Sequence, residues 1–134
     1  MNTEEQYTQP DPIKFDRNVG RRLFATEALG RTAAYRKDEE SRGRKRGEYT
    51  ESEFFGIDAI QGLIDQHPGC VGIRFYYGIN ARDSEGYEAR RLTLVAVDAA
   101  GKDMFRGGDL RGLKDDGDGE TLGDGYDCPK RCPA

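Results

Sequence analysis

At Pro68-Gly69 the hydrophobic period of this chain changes, and that change constrains the fold more than any other feature. Upstream, Phe54, Ile57, Ile60, Leu63 and Ile64 share one face of a 3.6-residue repeat, the signature of an amphipathic helix. Downstream, Val71, Ile73, Phe75, Tyr77 and Ile79 alternate with Gly72, Arg74, Tyr76 and Gly78, the two-residue period of a half-buried strand. A helix running straight into such a strand predicts an α+β domain in which the helix covers one sheet face.

The flanking sequence extends this plan. Thr50-Glu51-Ser52-Glu53 has the spacing of a capping box and predicts the start of the second helix, which His67-Pro68-Gly69 ends. An earlier helix is expected from Asp16 or Asn18 to Lys37, where Val19, Leu23, Phe24, Ala28, Leu29, Ala33 and Tyr35 recur near the helical period. After the loop Asn80 to Glu88, Leu92 to Val97 predicts a second strand, and Asp98-Ala99-Ala100-Gly101 a tight turn into a short third strand, Lys102 to Arg106. The expected architecture is α+β: two N-terminal helices packed on a small antiparallel β-meander. Residues 1–15 form an extended polar arm, 16–106 a single domain with a basic linker at 36–49, and 107–134 an acidic, glycine-rich tail.

Of 134 residues, 35% are hydrophobic and 34% charged, so the packed centre is expected to hold only about 60–80 residues, near the lower limit for an independent core. Burial in an assembly would strengthen it. Residues 1–50 carry eleven Lys or Arg against nine Asp or Glu, whereas residues 109–127 carry seven acids against Arg111 and Lys114. Blocks of opposite sign can meet within or between copies, or remain solvated. The polar start Met1 to Gln6 has no apolar signal region, and no apolar run approaches a membrane span. The expectation is a cytoplasmic protein, unless it is exported without an N-terminal signal.

Chemistry-bearing residues are few. Cys128-Pro129-Lys130-Arg131-Cys132-Pro133 places two thiols four residues apart. Together with Cys70, and with the single histidine, His67, they could hold copper or zinc if the tail folds back. Lys130 and Arg131 favour the thiolate by their charge. The same pair could instead form a disulfide clasp, or stay inert. Asp115-Asp116-Gly117-Asp118-Gly119-Glu120 lacks the ligand order of a calcium loop. The basic stretch Arg36 to Arg46 has no interleaved aromatic residue for stacking bases, so nucleic acid is not the expected partner. Arg74, Tyr76, Asp98 and Asp103 are candidates for one polar interaction surface, with solvent-face and turn-forming roles as the alternative. No histidine adjoins a nucleophile and no paired carboxylates stand at a fixed spacing, so catalysis has no support in the residues.

Three stretches carry a resemblance: Pro68-Gly69-Cys70-Val71-Gly72-Ile73-Arg74 through Gly78, Val95-Ala96-Val97-Asp98 through Asp103, and Cys128-Pro129 to Cys132. In these the chain resembles a set of small bacterial proteins of unassigned function, which implies a shared fold and shared terminal thiols but no activity. The ending is also similar to the copper-binding loop of Sco-type copper chaperones, which implies Cu(I) clamping by two thiolates. That family sets the loop early in a thioredoxin-like fold and adds a later histidine ligand, whereas only Pro133 and Ala134 follow here.

Two functional classes follow. The first is a non-catalytic structural or interaction protein, docking on a partner protein or forming a homo-oligomer or larger assembly through its arm and tail, with no cofactor. The second is a copper- or zinc-binding, or thiol-redox, protein centred on Cys128 and Cys132.

Overall fold

The computed structural model describes residues 13–82, 88–105, 121–128, 131 and 132. Helix α1 spans Ala25–Ser41, strand β1 Ser52–Phe54, helix α2 Ile57–Asp65, strand β2 Gly72–Arg82, strand β3 Glu88–Val97 and strand β4 Tyr126–Cys128. The class is α+β, as the change of period predicts. The arm at 1–12, the hairpin tip at 83–87, Arg106, most of the tail and the calcium-like run at 115–120 lie outside the described residues.

Strands β2 and β3 form an antiparallel hairpin in register from Gly72 opposite Val97 to Ile79 opposite Arg90, with an irregularity beyond Ile79. The other edge of β3 carries two single bridges, Leu94 to Leu122 and Val97 to Asp103. The expected third strand is thus reduced, among the described residues, to the Asp103 bridge and a bond from the Met104 amide to the Ala96 carbonyl at 2.8 Å. A separate antiparallel ladder joins β1 to β4, with Ser52 opposite Cys128. The last part of the glycine-rich tail is therefore built into the domain, where the strand edges satisfy its backbone groups.

The turn into the Asp103 bridge follows its sequence. Asp98 Oδ1 accepts the amides of Ala100 and Lys102 at 2.9 and 3.0 Å, and Gly101 takes φ +84°, a conformation that favours glycine. A Cβ at Gly101 would also stand 2.5 Å from the Phe15 ring.

The core lies between α2 and β3. Leu63, Cys70, Leu94 and Ala96 are buried together, with Phe55, Ile60, Ile73 and Leu122 packed around them. Helix α2 has nine residues and is about 14 Å long, whereas the eleven-residue β2 extends about 37 Å. The helix covers only the near end of the apolar face. Ile73 is half-buried, but Phe75, Tyr77 and Ile79 are 52%, 92% and 55% exposed.

Two helix boundaries depart from expectation. The second helix does not start at Thr50: residues 52–54 are strand β1, and Gly56 is the N-cap of α2, with no side-chain cap. A capping box contributes only about 1 kcal/mol, and here the same residues are instead engaged by the β1–β4 ladder and by the Glu53–Arg91 pair, whose arginine would be stranded if Glu53 turned to cap a helix. Helix α1 starts at Ala25 rather than near Asp16, because Asp16 caps a local turn by accepting the Asn18 amide at 2.8 Å and Gly20 takes φ +119°. It then runs to Ser41, into the stretch expected to be linker. Alanine and long straight side chains favour the helix, and the i,i+4 pairs Glu27–Arg31 and Asp38–Arg42 support it.

Helix α1 is mostly exposed and does not cover the sheet as the second helix does. Its attachment runs through Tyr35, Arg36 and Glu39, which reach residues 44–51. No helix among the described residues is long and apolar enough to cross a membrane.

Leu94→Ala should lower the unfolding free energy by about 2–5 kcal/mol in urea titration, as for other fully buried leucines. Phe24→Ala, at a site 84% exposed, should change it by no more than about 0.5 kcal/mol.

Candidate functional site

The β1–β4 ladder brings the terminal thiols to the N-terminal half of the chain. The Glu51 amide donates to the Cys128 carbonyl at 2.8 Å, which sets the Glu51 side chain beside Cys128. Past β4 the Arg131 amide bonds back to the Asp127 carbonyl at 2.7 Å, a turn that returns Cys132 to within 4.7 Å of Cys128 between Cα atoms. The two cysteines form a disulfide.

Charged groups surround this pair. Glu51 Oε2 lies 3.9 Å from Cys128 Sγ and accepts Arg46 Nε at 3.1 Å, while Arg36 Nε approaches Oε1 at 3.8 Å. Arg46 Nη2 is also 4.0 Å from Cys132 Sγ. Arg131, expected to act on the thiols, instead pairs with Asp127 at 3.5 Å and lies over the Tyr126 ring. Among the described residues the cation at the sulfurs is Arg46, from the stretch expected to be a basic linker; Lys130 lies outside the described residues.

Among the described residues, ligand atoms of Glu51, Cys128 and Cys132 lie within 4.8 Å of one another. Cys70 and His67 are not in that group. Cys70 is a free thiol buried in the core cluster, its Sγ 3.8 Å from the Ile64 carbonyl, and His67 Nδ1 donates to the Leu63 carbonyl at 2.8 Å, closing the end of α2.

Of the proposed polar surface, Arg74, Tyr76 and Asp103 meet. Arg74 Nη1 donates to Asp103 Oδ1 at 2.6 Å and Nη2 to the Gly101 carbonyl at 3.0 Å, and the Tyr76 hydroxyl donates to Asp103 Oδ2. The Phe15 ring lies 5.7 Å from the Arg74 guanidinium carbon. Burial is the largest single influence and works against the Arg74 charge, but the hydrogen bond and charge of Asp103 together with Tyr76 outweigh it and raise the guanidinium pKa. Asp98 stands apart as the turn former. With Asp103 buried and both arginine and phenol aimed at it, this network holds the hairpin to the following turn.

A third feature is a cavity of about 590 Å³ between α1, β1 and the outer half of the hairpin, lined by Tyr35, Thr50, Glu53, Tyr77, Ile79 and Arg90 among others. Tyr35 donates to the Thr50 carbonyl at 2.8 Å and packs edge-on against Tyr49. Burial raises the Tyr35 phenol pKa, and the charge of Glu39 adds to it. Burial also raises that of Tyr49, and Glu40 adds to it. The Glu53 side chain is 2% exposed; its Oε1 meets Arg91 Nε at 3.2 Å and accepts the Leu92 amide at 2.8 Å, while Oε2 has no hydrogen-bond partner among the described residues.

Sequence reasoning missed Glu51, Arg46 and the Glu53–Arg91 pair. Each depends on contacts between residues far apart in sequence or on the β1–β4 ladder, and a three-residue strand leaves no legible period.

Asp103→Ala removes the acceptor that Arg74 and Tyr76 share and should cost about 2 kcal/mol or more in denaturant titration. Tyr35 and Tyr49 hold their protons to higher pH folded than unfolded, so their contribution is complete below about pH 10 and declines as pH rises beyond it. Replacing both by Phe should flatten that alkaline decline in thermal melts. Comparison of the chain with family models, with characterised proteins and with solved structures found no match in any of the three.

Proposed function

We propose that this protein is a non-catalytic interaction protein whose first partner is a second copy of itself, paired through strand β2. The carrying observation is the outer edge of β2, which has no strand partner among the described residues although the strand is eleven residues long. Edge strands of natural proteins are usually blunted by charge, proline or bulges. From Gly72 to Ile79 there is no proline, the one charged residue is Arg74, already engaged by Asp103, and the irregularity comes only after Ile79.

An exposed row of backbone donors and acceptors fits another strand, and a two-fold axis makes one strand complementary to itself. Centred on Tyr77, antiparallel pairing sets Tyr77 opposite Tyr77 of the second copy, and Phe75 opposite its Ile79. All three exposed side chains then lie on one face and cover each other, adding to a core that α2 leaves short. The arm and residues 106–120, for which the sequence suggests a contact role, lie outside the described residues, and residues 121–128 pair within the domain; β2 offers a contact edge besides them.

Light scattering on the full chain at micromolar concentration should give about twice the 15.0 kDa of one copy. Tyr77→Asp, at a position 92% exposed, should give the single-copy mass and still unfold cooperatively, with a melting midpoint that is lower and independent of protein concentration. A wild-type mass of one copy, or a variant that keeps the doubled mass, defeats the proposal.

A further inference from the structure

We infer that Glu51, Cys128 and Cys132 form, once the disulfide is reduced, a binding site for one zinc-type divalent cation, so that disulfide and metal are alternative clasps of the same tail. The inference is independent of self-association through β2. It starts from the ligand chemistry: two thiolates and one carboxylate are a donor set that zinc accepts, leaving a fourth tetrahedral position for water.

The spacing fits. With Zn–S bonds of about 2.3 Å and Zn–O bonds of about 2.1 Å, tetrahedral ligands stand roughly 3.6–3.8 Å apart. Glu51 Oε2 is already 3.9 Å from Cys128 Sγ, and all three ligand atoms lie within 4.8 Å. Opening the disulfide lets the sulfurs separate to that spacing while the Arg131–Asp127 backbone bond and the β1–β4 ladder hold the two ends of the turn.

The charges fit as well. Three anionic ligands around a dication leave one negative charge, and Arg46 and Arg36 stand at the Glu51 carboxylate at 3.1 and 3.8 Å to offset it. Arg46 donates to Oε2 and so orients the ligand, as outer partners of metal-bound carboxylates do, while another lone pair faces the sulfurs. A Cu(I) ion needs only the two thiolates and would not use Glu51.

The chemistry balances through a dithiol reductant. It passes two electrons and two protons to the sulfurs, breaking the Cys128–Cys132 bond and itself becoming a disulfide. The cation then displaces the two thiol protons as two metal–sulfur bonds form.

The test uses full-length protein reduced by a phosphine and titrated anaerobically with cobalt(II), then zinc. Reduced wild type should take up one cobalt per chain with a thiolate-to-cobalt charge-transfer band that zinc abolishes, and oxidised protein should show no band. Glu51→Gln should weaken uptake by at least about tenfold, the loss expected when even an outer partner is removed. Cys128→Ser should abolish it. Failure of reduced wild type to bind stoichiometrically overturns the inference without reference to any variant. Uptake by Glu51→Gln equal to wild type overturns it too, and points to a two-thiolate clamp instead.

Discussion

The buried pair of Glu53 and Arg91 holds the parts of this molecule together. Arg91 Nε meets the Glu53 carboxylate at 3.2 Å, and its Nη2 donates to the Gly125 carbonyl at 2.5 Å. One side chain of β3 thus fastens both β1 and the segment leading to β4. Two buried charges cost several kcal/mol to desolvate, and removing one partner of such a pair costs about 3–5 kcal/mol because the other is left stranded. The pair therefore specifies position more than it adds net stability. Gly125 is where the chain passes closest: a Cβ there would stand 2.7 Å from the Phe54 carbonyl and 2.8 Å from the Phe55 ring.

From this anchor the candidate metal site follows. Once β4 is set against β1, Glu51 has to lie beside Cys128, and the basic stretch after α1 brings Arg46 to the same carboxylate. The disulfide then closes a turn whose ends the ladder already positions. It reinforces an arrangement that longer-range contacts create.

The mismatch between the short α2 and the long hairpin accounts for the other surface feature. A helix of nine residues cannot cover a strand of eleven, because helices rise less than half as far per residue. The outer half of β2 keeps its apolar side chains uncovered by α2, next to the cavity bounded by α1 and β1. Sequence period alone marks Phe75, Tyr77 and Ile79 as one face, without saying whether the covering element reaches them.

Local periodicity made the α+β class, a helix that stops ahead of Pro68, both hairpin strands and the Asp98 turn legible, since each is set by neighbours within a few residues. The convergence of Arg74, Tyr76 and Asp103 was also within reach, because strand alternation puts the first two on one face. Thr50 to Glu53 misled for an equally physical reason: a local cap of about 1 kcal/mol gave way to a ladder and a buried pair made with distant residues. What the sequence by itself determined was the order and type of the principal elements and the presence of two closely spaced thiols. Only the tertiary structure decided that the tail returns as β4, that Glu51 rather than Cys70 or His67 joins the thiols, and that β2 has one strand partner among the described residues. Those outcomes rest on pairings between distant segments, which leave no local period to read.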